Sequence, residues 1–381
     1  MTWAHDAPVS ADAAAPRDLS EAGHARLVEV AEGHRARGWH SAAQLAVYRD
    51  GRLALDLRLG AAADPASRML WFSATKPVIT VCVLMLVERG RLALDAPLAE
   101  LWPEFAQGGK AACTLRHVLT HRGGFPALRR DVDWRRVEEW DYCAAETAAI
   151  PAAWEPGSAT GYHPVTFGFA LGELIRRVDG REPRDFLRDE LFAPLGLDAS
   201  LGVDDAALDT VVPLEALSEV TWQDPEGTEG RTSEVVRRFN APSTLRAQIP
   251  AGNGIGTAEA LARFYAMLER GGELDGVRVL SEETAVQATS IQHRTSLDRT
   301  TGLPGSYGWG FVVGGVFAPF DRDGVFGHPG QQSSIGYADP SLGLAVAYVT
   351  NGLHDPLVVQ TRVEEVAQAA VEACAERAAR P

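Results

Sequence analysis

Apolar and polar positions divide the chain into a mixed beginning, a long helical middle and a strand-rich end. Leu27, Val28, Val30 and Ala31 recur near helical spacing and predict an amphipathic helix over residues 19–37. Residues 44–48 and 53–57 alternate in the manner of strands and are joined through Arg49-Asp50-Gly51, a strong hairpin signal. From Val78 to Val87 the chain is apolar on all sides of a helix and then meets Gly90, a good C-cap. Such a helix belongs in the interior. Further helices are predicted at 114–120, 167–178, 183–191 and 258–271, and the acidic, aperiodic stretch 215–231 is expected to be a mobile surface loop. Strand patterning returns at 307–313, 324–328, 333–338 and 344–349, followed by a closing helix over 357–377.

Both chain ends therefore contribute to one antiparallel sheet with the terminal helices packed on its face. The expected class is α/β of the α+β kind, with a large, mostly helical inserted subdomain. The predicted division is a disordered lead at 1–18, an α/β subdomain from 19–94 and 301–381, and a helical subdomain at 95–300. The active site is expected between the two. A length of 381 residues suits one large domain or two closely joined ones. A hydrophobic content of 46% with 23% charged residues is that of a globular protein.

The formal charge of −15 argues against nucleic acid or an anionic membrane as the main partner, because both need a basic footprint. Cys82, Cys113, Cys143 and Cys374 are widely spaced and form no Cys-x-x-Cys pair, so neither a zinc site nor a disulfide framework is indicated. Residues 1–17 lack the basic start and apolar core of a secretory signal, and no apolar run approaches a membrane span. A cytoplasmic protein is expected.

The chain holds only two lysines, Lys76 and Lys110, against a background of arginine. A position that keeps lysine in such a chain is read as needing one. Arginine stays charged at any working pH, whereas burial can tune a lysine amine to give up its proton. Lys76 follows Ser73 by three residues, one helical turn away on the same face. That is where an amine must sit to take the serine hydroxyl proton and make a nucleophile. His117 and His121 have the spacing of a zinc pair, but no glutamate follows His117 and no third ligand suggests itself. No metal and no cofactor are expected.

Ser73-Ala74-Thr75-Lys76 is followed by residues 115–126 with His121 and Gly123-Gly124, by Trp154-Glu155-Pro156-Gly157 and Tyr162, and by Phe326-Gly327-His328-Pro329-Gly330. In that order these segments resemble the serine β-lactamase and penicillin-binding-protein superfamily, most closely its class C-like branch, which includes family VIII carboxylesterases. The superfamily signature is Ser-x-x-Lys, Ser-Asp-Asn and Lys-Thr-Gly. In the branch resembled here a Tyr-x-x element takes the second place, and His-x-Gly can take the third. The resemblance implies a β-lactamase/transpeptidase-like fold, with Ser73 as nucleophile, Lys76 as proton acceptor and Tyr162 as the shuttle to the leaving group. His328 and Gly330 would face the substrate, and the backbone amides of Ser73 and Gln331 would form the oxyanion hole. Trp309 and Tyr307 are expected in the pocket lining, with a place in the core as the alternative for such glycine-flanked strand aromatics.

Two departures matter. Pro329 stands where relatives carry a hydroxyl residue, and Pro164 where they carry asparagine. Proline offers neither a hydroxyl nor an N–H to a β-lactam's carboxylate or amide. The expectation is therefore a serine carboxylesterase for small or medium acyl esters, working through an acyl-serine. An acyltransferase or cyclising thioesterase using the same acyl-enzyme is the alternative. A β-lactamase, a D-aminopeptidase or a catalytically silent binding protein ranks below both. The partner is a small acyl substrate.

Overall fold

The computed structural model describes residues 18–129, 131–223 and 229–375. The predicted N-terminal lead, apart from Asp18, and the last residues of the predicted closing helix lie outside these. An eight-stranded sheet runs in the order β3-β4-β5-β6-β7-β8-β1-β2. Its strands are β1 Ala43–Arg49, β2 Arg52–Leu59, β3 His293–Thr295, β4 Gly305–Tyr307, β5 Val312–Val313, β6 Phe326–Gly330, β7 Ser334–Asp339 and β8 Leu344–Thr350. The β1–β2 hairpin turns through Asp50 and Gly51 at φ 48° and 75°, the left-handed pair that a tight hairpin requires. Strand β8, from the far end of the chain, pairs antiparallel with β1 and sets Ala46 opposite Ala347. The chain ends meet in one sheet, as the sequence pattern implies.

The two faces of the sheet differ in side-chain size. Leu45 and Val47 of β1 with Val346 and Tyr348 of β8 pack against helix α1 (Glu21–Ala36) and helix α6 (Pro356–Ala375). The opposite face carries Ala46, Ala338, Ala345 and Ala347 alongside Tyr48, Val349 and Phe326. Helix α5 (Ala258–Glu269) lies on this face. There a Cβ on Gly336 would come within 2.3 Å of the Tyr265 ring, so the approach depends on the missing side chain. Helix α2 (Lys76–Glu88) is buried along nearly its whole length and packs beside helix α4 (Thr166–Asp179). The short helix α3 (Leu115–Leu119) is capped by Thr114 and by His117, whose Nδ1 accepts the Thr114 N–H. Among the described residues no helix is long and apolar enough to cross a membrane.

Three expectations change. The segment 95–300 is not purely a helical insertion: α5 and β3 fall within it yet belong to the main sheet and its covering layer. Periodicity identified α5 as a helix but carried nothing about what it packs against, and β3 is too short and polar to register. The predicted strand at 307–313 is two strands, with Tyr307 paired to Val312. Gly310, at φ 72°, reverses the chain between them. The acidic stretch expected to be a mobile loop carries pairing of its own: Thr221–Gln223 runs antiparallel to Glu229–Arg231, and Glu215–Ala216 pairs with Gly352–Leu353. That last pairing is long-range, and local sequence has no access to it.

Where the chain passes from α1 into β1, His34 and His40 are buried and share the Tyr348 hydroxyl at 3.0 and 2.8 Å. Burial drives the His40 pKa from 6.5 down to about 3, with the Arg362 cation adding to the shift. Because the folded pKa lies below the unfolded one, the unfolded chain takes up the proton first. Stability from keeping His40 neutral is full above about pH 6.5 and is lost as the pH falls toward 3. Urea unfolding should therefore show a loss of about 1–2 kcal/mol from this group between pH 7.5 and 5, and His40→Gln should reduce the pH dependence by that amount.

Candidate active site

The turn Phe72–Thr75 carries Ser73 directly into α2. Phe72 is held at φ 46°, a left-handed conformation that a non-glycine residue keeps only when its surroundings enforce it. Here they do. The Trp71 N–H donates to the Gly254 carbonyl at 2.9 Å, and the Ser334 hydroxyl donates to the Trp71 carbonyl at 2.6 Å. The Thr75 hydroxyl donates to the Phe72 carbonyl (2.6 Å) and accepts the Gly254 N–H (2.9 Å). Trp71, Phe72, Ala74 and Thr75 are buried, and Ser73 between them is partly exposed. Strand β6 lies against this turn through Gly330, where a Cβ would sit 2.0 Å from the Ser334 Oγ and 2.5 Å from the Trp71 carbonyl oxygen.

Lys76 is fully buried, and its Nζ lies 3.0 Å from the Ser73 Oγ. The same nitrogen donates to the carbonyls of Pro164 (2.7 Å) and Ala251 (3.1 Å). Burial pushes its pKa well below the usual 10.5, because a cation in low dielectric loses its hydration. A neutral amine has two N–H groups and one lone pair. The two carbonyls occupy the N–H groups, and the lone pair is left for the serine hydroxyl. Pro164 has no side-chain amide, yet its carbonyl is a principal anchor of the lysine.

Tyr162 is placed over this pair. Its ring centroid is 4.8 Å from the Lys76 Nζ, which is itself 3.0 Å from the Ser73 Oγ. Burial, reinforced by the charge of Asp298, raises the phenol pKa above its usual 10, so Tyr162 keeps its proton. The Tyr162 N–H donates to Asp298 Oδ1 at 3.0 Å. Asp298 is itself fully buried and also accepts from the N–H groups of Thr300 (2.9 Å) and Thr301 (3.0 Å). Its Oδ2 accepts the Tyr307 hydroxyl at 2.8 Å.

His328 faces the same cluster, with its ring centroid 5.8 Å from that of Tyr162. Its Nδ1 donates to the Pro329 carbonyl at 2.6 Å, and its buried Nε2 has no hydrogen-bond partner among the described residues. Burial and the nearby Lys76 lower its pKa to about 3, so it is neutral and Nε2 is an open acceptor. His121 packs under the Tyr162 ring at 4.8 Å and accepts the His163 N–H through Nδ1. The polar floor of the site is thus a set of neutral bases beside the buried Asp298 side chain.

Ser73, Lys76, Tyr162 and His328 converge from three separate parts of the chain. Gly330 lies behind the serine turn, and Gln331 follows it, exposed, at the start of the turn into β7. The neighbouring Gln332, at φ 52°, has its carbonyl held by the buried Arg362 guanidinium at 2.6 Å. Trp309 is placed differently. It sits in the core with its ring 5.7 Å from the Arg116 guanidinium, and the aromatic that packs toward the site is Tyr307. Asp298 was missed altogether: nothing local distinguishes it from a turn aspartate, since its partners lie up to 136 residues away in sequence.

The Beta-lactamase family model matches residues 27–371. The chain is 34% identical over 343 residues to the esterase/beta-lactamase LipL of Mycobacterium tuberculosis, covering 83% of this chain and 78% of that protein. Among solved structures, a penicillin-binding protein homolog from Caulobacter crescentus superimposes with a TM-score of 0.81 at 32% identity, covering 94% of this chain and all of the other (100%). EstA from Arthrobacter nitroguajacolicus gives 0.82 at 27% identity, over 96% of this chain and 100% of that one. The serine turn, the buried lysine and the match along most of the chain agree: this protein belongs to the Beta-lactamase family.

Proposed function

We propose that the protein is a serine carboxylesterase that cleaves small or medium acyl esters through an acyl-serine intermediate. The observation that carries this reading is the buried Lys76 amine, 3.0 Å from Ser73 Oγ with both its other contacts made to carbonyls. The reading is supported by the likeness to a named esterase/beta-lactamase.

Ser73 Oγ attacks the ester carbonyl while its proton passes to the Lys76 lone pair. The carbonyl oxygen, now anionic, is received by the backbone amides of Ser73 and Gln331. Placement of that charge beside the start of α2 is favourable, because free N–H groups and the helix dipole converge there. Collapse of the tetrahedral species expels the alkoxide, which takes the Tyr162 phenolic proton as Tyr162 is re-protonated from Lys76. Water then attacks the acyl-serine by the reverse proton path. An alcohol in place of water would give acyl transfer, and product analysis with and without added alcohol separates the two.

Ser73→Ala should abolish turnover of p-nitrophenyl butyrate and labelling by a fluorophosphonate. Lys76→Arg should be nearly as damaging as Lys76→Ala, a loss of about 10²–10⁴-fold in kcat, since arginine supplies no lone pair. An arginine variant with near-normal kcat would remove Lys76 as the base.

Asp298 acts as a positioning residue for Tyr162. Asp298→Asn keeps an acceptor for the backbone N–H groups and removes the charge. We expect kcat to fall about tenfold with KM little changed. The alkaline limb of the pH–rate profile should move to lower pH, because the carboxylate that raises the Tyr162 pKa is gone. An unshifted limb in a folded variant would limit Asp298 to scaffolding.

Pro329 and Pro164 offer no side-chain donor to a β-lactam, and one nitrogen of the Arg122 guanidinium donates to the Gly157 carbonyl. Each lost polar contact to a charged group costs about 1.5–3 kcal/mol. On one preparation, kcat/KM for a simple ester should therefore exceed that for a chromogenic cephalosporin by at least about 10²-fold. Equal efficiencies, both lost in Ser73→Ala, would make the protein a β-lactamase instead.

A further inference from the structure

Arg362 of α6 is 2% exposed, and among the described residues it has no carboxylate partner. Its guanidinium donates instead to three backbone carbonyls. Nη1 serves Trp39 (2.9 Å) and Gly352 (3.3 Å), and Nη2 serves Gln332 (2.6 Å). A buried cation without a counter-ion is costly, and hydrogen bonds of this kind are what offset its lost hydration.

Gln332 belongs to the turn Gln331–Ser333 between β6 and β7, and both flanks of that turn are seated on the serine turn. A Cβ on Gly330 would lie 2.5 Å from the Trp71 carbonyl oxygen, and the Ser334 hydroxyl donates to the same carbonyl at 2.6 Å. Ser333 is pinned through its own carbonyl, which accepts from the Thr350 N–H (2.8 Å) and hydroxyl (3.0 Å). At the apex Gln332 is held at φ 52°. Its side-chain Oε1 is buried and has no hydrogen-bond partner among the described residues, so that oxygen does not anchor the turn. A non-glycine residue stays left-handed only where its surroundings enforce it, and here Arg362 holds its carbonyl.

We infer that Arg362 is a positioning residue for the oxyanion hole, which fixes the Gln331 amide by holding the Gln332 carbonyl in this left-handed turn. The inference rests on the proposed esterase mechanism, in which the Gln331 N–H receives the anionic oxygen, and deepens it. Ser333 is pinned on one side, so relaxation of Gln332 toward negative φ moves the residue on its other side, which is Gln331. The proton path is built from other segments: Pro164 and Ala251 hold Lys76, and Asp298 holds Tyr162. Loss of the guanidinium therefore falls on the developing oxyanion. Two separate nitrogens serve the three carbonyls, an arrangement that a single lysine amine does not duplicate.

The test is Arg362→Gln, assayed on p-nitrophenyl butyrate with thermal unfolding measured alongside. kcat should fall at least about tenfold with KM changed less than about threefold, because an oxyanion donor acts in the transition state. Phenylboronic acid forms a tetrahedral, anionic adduct on a serine hydroxyl, and its inhibition constant should rise by the factor that kcat/KM falls. Adding Gln332→Gly to the variant should recover kcat at least about fivefold, since glycine takes the left-handed conformation without support. A merely structural loss is not repaired there, because the Trp39 and Gly352 carbonyls stay unbonded. If Arg362→Gln does not fold, Gln332→Val keeps the guanidinium, disfavours the left-handed turn and should lower kcat and weaken the boronic acid together. A folded variant with kcat within about twofold of wild type overturns the inference and leaves the esterase reading standing. So does an inhibition constant that ignores the change in kcat/KM, or a double variant without recovery. If the wild-type protein hydrolyses no ester, the esterase reading fails and this inference fails with it.

Discussion

The burial of one amine is the constraint on which the rest of the site depends. Among the described residues Lys76 has no carboxylate partner; its three hydrogen-bond neighbours are a hydroxyl and two carbonyls. An ammonium group in that setting would be poorly solvated, so the surroundings select the neutral form. Neutrality makes the nitrogen a base, and the two carbonyls, from chain segments 88 and 175 residues away, fix where its lone pair points. The same burial that makes the lysine useful makes it dependent on the packing of α2 against α4 and the 249–254 segment.

That packing is secured by close backbone approaches more than by large side chains. The serine turn is strained at Phe72 and is held by hydrogen bonds from Gly254 and Ser334, which belong to two different elements. Gly330 lets β6 press against the turn, and alanines let α5 lie close on the sheet. The glycine and alanine contacts are short-range and steric, and the Ser334 and Thr75 hydroxyls fix the turn further by donating to the Trp71 and Phe72 carbonyls.

Electrostatics then divide the labour among the buried groups. Lys76, His121, His163 and His328 are all driven toward their neutral forms by burial. The Asp298 carboxyl is satisfied by three N–H groups and a phenol hydroxyl. Burial, with Asp298 adding to it, raises the pKa of Tyr162 and keeps the phenol protonated beside the neutral amine. A pair of titratable groups held apart in this way is how one site carries both halves of a proton transfer.

The sequence by itself determined much of this. Lysine depletion and the three-residue spacing marked Ser73 and Lys76, the apolar run after them predicted a buried helix, and Asp50-Gly51 predicted the hairpin. These features are local, and local spacing is what a chain writes openly. Family likeness added Tyr162 and His328, though no spacing rule connects them to Ser73. Only the tertiary structure decided the rest. Asp298 becomes a support for Tyr162 because a turn from the far end of the inserted segment folds back onto it. Of the two aromatics the sequence offered, Trp309 goes to the core and Tyr307 to the site, and Gly310 reverses the chain between β4 and β5. The carbonyls of Pro164 and Ala251 acquire their role through position alone, since a backbone carbonyl is the same atom in every residue and its partner is set by the fold.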